Sequence, residues 1–93
     1  MIITYSSSFY KDIKRIPKDY IPKVSQIVAE IKAANSIRSI KNCKKLKGNR
    51  NVYRIRINDY RIIFFLIKIE NTIRFQRILL WGQVYKKGVL SEE

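Results

Sequence analysis

The chain contains no histidine, and that absence removes more chemistry than any other feature of it. Without an imidazole there is no usual general base near neutral pH, and no Ser-His or Cys-His nucleophile pair. Cys43 is the single cysteine, so no intramolecular disulfide forms, and with no histidine beside it no zinc site is built. A lone thiol reads as packed or incidental and fits a reducing compartment. Three scattered glycines exclude a phosphate-cradling glycine-rich loop. Acidic residues number seven, two of them Glu92 and Glu93, and no two are placed as an acid–base pair. No apolar run approaches the roughly 20 residues that cross a bilayer. The opening Met1–Ser6 lacks the basic start of a signal peptide. The expectation is a cytoplasmic protein with no membrane partner, no metal and no cofactor.

What is present is positive charge. Twenty Lys and Arg give a formal net charge of +13 over 93 residues. Such an imbalance repels itself in a compact fold and is ordinarily answered by a polyanionic partner. Solubility alone is the plainer explanation, but a moderate charge suffices for that. Hydrophobic residues make up 46%, enough for one core without a covalent staple.

Periodicity places the elements. Ile2–Tyr5 reads as a strand. Ser6, Ser7 and Ser8 offer N-caps to a short helix whose apolar face is Phe9, Ile13 and Ile16, ended by Pro17. Asp19 is the expected cap of a second helix, with Pro22 in its first turn and a stripe of Ile21, Val24, Ile27, Val28 and Ile31. That helix runs to about Ala34. The stretch from Asn35 to Gly48 is irregular and carries Lys41, Lys44, Lys45 and Lys47; Gly48-Asn49 marks a turn. From Val52 the period becomes two. Tyr53, Ile55 and Ile57 alternate with Arg54 and Arg56, Asn58-Asp59 closes a hairpin, and Tyr60–Ile69 reads as a strand covered on both faces. Glu70-Asn71 is a second turn, and Thr72–Leu80 a third strand with Arg74 and Arg77 on opposite faces. The reading is one α+β domain over residues 1–88: an N-terminal strand, a two-helix hairpin, then a three-stranded antiparallel meander with the helices packed on one face of the sheet. Residues 89–93 read as a mobile tail.

The pleat brings chemistry together. Arg54 and Arg56 share a strand face, and the Asn58-Asp59 turn returns Arg61 opposite Arg56. Three converging guanidiniums repel one another unless an anion sits between them, and arginine grips phosphate in a bidentate fork. Tyr53, Tyr60 and Tyr85 offer stacking or phenolic groups. A solvated, edge-protecting face is the alternative reading of the same arginines. Trp81 is open to two roles, stacking on a base or filling the core.

The blocks Leu46-Lys47-Gly48, Tyr53-Arg54-Ile55-Arg56, Asp59-Tyr60-Arg61-Ile62-Ile63 and Val84-Tyr85 together resemble the RelE/ParE superfamily of type II toxins. The resemblance spans nearly the whole chain. It implies a toxin held inactive by a cognate antitoxin with an acidic, partly disordered segment. In the RelE branch it further implies an endoribonuclease (mRNA interferase) that cuts mRNA on the ribosome through 2′-hydroxyl attack. Carried onto this sequence, Arg61, Arg56 and Tyr85 are the implied catalytic residues. Arg54, Lys45, Lys47, Arg77 and Trp81 are the implied substrate contacts. Many members carry a basic pair just before the final Val-Tyr, whereas Leu79–Val84 here is uncharged. Two alternatives therefore stand beside the nuclease: a ParE-like inhibitor of DNA gyrase, and a non-catalytic module that binds antitoxin or RNA.

Overall fold

The computed structural model of the protein describes residues 1–46 and 51–83. Its strands are β1 (Ile2–Tyr5), β2 (Cys43–Lys45), β3 (Val52–Ile57), β4 (Tyr60–Ile67) and β5 (Thr72–Leu80); its helices are α1 (Ser7–Ile13) and α2 (Ile21–Ala33). The five strands form one sheet in the order β1-β5-β4-β3-β2. The meander β3-β4-β5 is antiparallel throughout, and β1 joins its far edge parallel to β5.

Ser6 ends β1 and starts α1 with one side chain. Its hydroxyl accepts from the Phe9 amide at 3.0 Å and donates to the Gln76 carbonyl at 2.7 Å. The cap thus satisfies an orphan helix amide and ties the helix start to β5. Regular α1 stops at Ile13, and the chain unwinds through Arg15 and Ile16, whose amides both donate to the Asp12 carbonyl, before Pro17 turns it away. Asp19 does not cap α2. It lies in a one-turn helix, Lys18–Tyr20, and Tyr20 takes the cap position without a side-chain bond. Pro22 explains why this is tolerated, since a residue without an amide leaves one fewer donor to satisfy.

The irregular stretch holds one strand that periodicity does not reveal. β2 pairs antiparallel with β3, and Asn42, at φ 59°, turns the chain into it. Three residues, two of them lysine, are too few to display a period. β4 ends at Ile67 rather than Ile69. Lys68–Glu70 forms a single turn closed by Asn71 in the left-handed region, leaving Ile69 95% exposed. On β5 a bulge at Gln76 breaks the alternation: Ile63 faces Arg77 while Phe64 faces Phe75.

Both sheet faces bury apolar residues. Phe9, Val24, Ile31, Ile55, Ile62, Phe64 and Phe75 form the core beneath the helices. Leu46, Val52, Ile63 and Leu79 form a second, smaller cluster on the opposite face, with Phe65 packed beside it. Adjacent residues Ile62, Ile63 and Phe64 of β4 are fully buried, so this strand is covered on both sides, as a near-continuous apolar run requires. The opposite face is also where the cationic residues of β3 and β4 emerge.

Candidate functional site

Strand register builds the site. In β3 the residues Tyr53, Ile55 and Ile57 turn toward the helices, so Arg54 and Arg56 project from the other face. The two-residue turn Asn58-Asp59, with Asn58 at φ 51°, sets Ile57 against Tyr60 and hence Arg56 against Arg61. Two like charges directly opposite each other destabilise a strand pair. The sequence pattern anticipates this convergence, and the backbone delivers it.

Arg61 is anchored at the hairpin end. Its Nη1 donates to the carbonyls of Asn58 at 2.9 Å and Tyr60 at 3.0 Å. Its Nε is buried and has no hydrogen-bond partner. Burial pushes the Arg61 guanidinium below its ordinary pKa, and the charges of Arg54 and Arg56 push the same way, with Asp59 acting against them. Among the described residues the ion pair is Arg77–Asp12, so Arg54, Arg56 and Arg61 have no carboxylate within salt-bridge distance there.

Trp81 completes the group. Its amide donates to the Asp59 carbonyl at 2.9 Å, which docks the end of β5 on the β3–β4 turn. Its ring centroid lies 4.7 Å from the Arg54 guanidinium carbon and 4.8 Å from that of Arg61. The ring is 37% exposed and in contact with two guanidiniums, so it is not a core filler.

Other expected residues lie elsewhere. Arg77 forks onto Asp12, Nε to Oδ2 at 2.7 Å and Nη2 to Oδ1 at 3.0 Å, and Asp12 Oδ2 also accepts the Ile78 amide at 3.0 Å. This buried carboxylate bolts α1 to β5, and Arg77 is engaged there instead of joining the cluster. Lys45 pairs with Tyr53 and therefore shares the helix-side face, away from the arginines. Lys44, which pairs with Arg54, is the lysine β2 contributes to the cationic face. The sequence holds a signal for it: Lys44 lies two residues before Leu46, which is buried in the cluster on that same face. Tyr53 stacks on Phe64 at 5.4 Å, and Tyr60 meets Tyr20 edge-on at 5.0 Å, so both rings pack with the helix-side core. Lys47 and Tyr85 lie outside the described residues, as do the Gly48-Asn49 turn and residues 89–93.

No family model matches the sequence. Among curated proteins, Toxin RelE3 of Methanocaldococcus jannaschii is 34% identical over 87 residues, covering 91% of this chain and 96% of the relative. The chain belongs to the RelE family of toxins.

A solved RelB-RelE antitoxin–toxin complex from Methanococcus jannaschii contains a chain of the same fold, with a TM-score of 0.79 and 31% identity over 90% of this chain and 96% of that one. An archaeal RelE-RelB complex from Pyrococcus horikoshii OT3 shares the fold at a TM-score of 0.73 and 19% identity, over 88% and 96% of the two chains. The RelE fold thus accounts for the sheet that carries the arginines.

Proposed function

We propose that this RelE-family toxin is a ribosome-dependent mRNA endonuclease whose Arg54, Arg56 and Arg61 hold the phosphate at the cleavage point. The observation that carries the reading is the set of three guanidiniums on one sheet face without an ion-paired carboxylate among the described residues. A ribonucleotide supplies its own nucleophile. The 2′-hydroxyl oxygen attacks the adjacent phosphorus, the 5′-oxygen of the next nucleotide leaves, and a cyclic phosphate remains. Negative charge builds on the non-bridging oxygens, where preset cationic donors act most strongly. Arg61, fixed by its turn carbonyls, meets that charge, while Arg54 and Arg56 hold the substrate phosphates. With no histidine in the chain, proton transfer falls to another group, and resemblance assigns it to Tyr85.

The same positive face suits an antitoxin whose acidic segment orders on binding. The structural relatives come from RelB–RelE antitoxin–toxin complexes, which supports such a partner here. Primer extension on translated mRNA after induction tests the activity: new 5′ ends within codons are expected, and intact message during growth arrest contradicts it. The uncharged run Leu79–Val84 favours a second reading, inhibition of DNA gyrase, for which loss of supercoiling activity with unbroken mRNA is the expected outcome.

A further inference from the structure

Two guanidiniums share one indole. Arg54 comes from β3, Arg61 from β4 and Trp81 from the turn after β5, so three separate segments meet at one point. Arg61 has a second support, because its Nη1 is bonded to the Asn58 and Tyr60 carbonyls. For Arg54 the Trp81 ring is the contact the structure shows.

We propose that Trp81 is the positioning residue of the cationic site, holding Arg54 beside Arg61 so that one phosphate meets both. The proposal rests on reading this face as a phosphate site. Its physical basis is the difference between a carboxylate and an aromatic ring as partners for arginine. A carboxylate takes the in-plane N–H fork and neutralises the charge, so an incoming phosphate must displace it. A π face attracts the cation through its quadrupole and carries no net charge. A guanidinium held by its face keeps its fork for an anion. Trp81 reaches this place through its backbone, since its amide donates to the Asp59 carbonyl and holds its Cα at the same turn that anchors Arg61.

The test compares wild type with Trp81→Phe and Trp81→Leu, using a short 2′-O-methyl RNA that binds but cannot be cut. Arginine Nε–Hε NMR reads the geometry directly. In wild type the Arg54 and Arg61 signals carry an indole ring-current shift, and the oligonucleotide perturbs both together. In Trp81→Leu the shift disappears and Arg54 gains fast motion, while Arg61 stays restrained by its turn carbonyls. Binding then weakens about tenfold, the scale of a cation–π contact in a partly desolvated site. Trp81→Phe, which keeps a ring, recovers most of that loss. As the chain's sole tryptophan, Trp81 also reports binding in wild type by its fluorescence.

Unchanged arginine signals and unchanged affinity in a folded Trp81→Leu overturn the proposal, as does an oligonucleotide that moves one arginine signal without the other. The outcomes separate this inference from the nuclease reading. A wild-type chain that binds as described but leaves mRNA whole on ribosomes keeps the inference and overturns the nuclease. A Trp81→Leu chain that cleaves with wild-type kcat and KM does the reverse.

Discussion

Arg56 and Arg61 stand opposite each other as a cross-strand pair at the end of the β3–β4 hairpin, two like charges where a pair of opposite sign would stabilise the sheet. The fold tolerates the repulsion without an ion-paired carboxylate among the described residues.

Relieving that repulsion should separate stability from function. Arg56→Thr is expected to stabilise the free protein by a few tenths of a kcal/mol to about 1 kcal/mol, the scale of a cross-strand pair. It should weaken RNA binding at the same time. Urea denaturation and a binding titration on the same preparation check both signs.

Lys44 and Lys45 make a sharper pair. They are adjacent in sequence but project from opposite faces of β2. Lys44→Ala should lower the slope of log affinity against log salt by about 0.7 for single-stranded RNA and weaken binding to all sequences alike. Lys45→Ala should leave the slope unchanged. Equal effects from the two would place RNA elsewhere.

The Asp12–Arg77 pair is assigned to the fold. Asp12→Asn keeps the shape but removes the charge that answers Arg77 and weakens the acceptor for the Ile78 amide. With the Arg77 side chain still 21% exposed, the expected loss is about 2–4 kcal/mol, at or below the cost of breaking a fully buried pair. Arg77→Met should restore part of the stability lost in Asp12→Asn, measured as a double-mutant cycle.

Much of this was legible because a strand has a period of two and a two-residue turn fixes register. Those two facts, applied to Tyr53–Arg61, give the β3–β4 hairpin and the convergence of Arg54, Arg56 and Arg61 without coordinates. Contacts between residues distant in sequence were not legible. Nothing in Arg77 announces that its partner is Asp12, 65 residues earlier. The place of Trp81 depends on a backbone bond to Asp59 across two elements. β2 escaped because Cys43–Lys45 is too short to show alternation, and with it went the placing of Lys44 and Lys45 on opposite sheet faces.

Cys43 should behave as an inert thiol. Burial pushes its pKa up to about 11 from 9.0, so the folded state favours the protonated form. At pH 8 it holds roughly a hundredfold less thiolate than an ordinary cysteine, and alkylation should be correspondingly slow. The stability tied to the neutral thiol is fully present below pH 9.0 and lost as pH rises through about 11. Rapid alkylation at pH 8 in the folded protein would contradict the burial that raises its pKa.

The central claim is that Arg61, set at the hairpin end beside Arg54 and Arg56, stabilises charge on a phosphate being cleaved. The most direct measurement is single-turnover cleavage of mRNA on programmed ribosomes, wild type against Arg61→Ala, with circular dichroism confirming the fold of both. The account predicts cleavage by wild type and a loss of about a hundredfold or more in the variant's rate, the scale of removing one preset donor from a transition state. A folded Arg61→Ala that cleaves at the wild-type rate would contradict it.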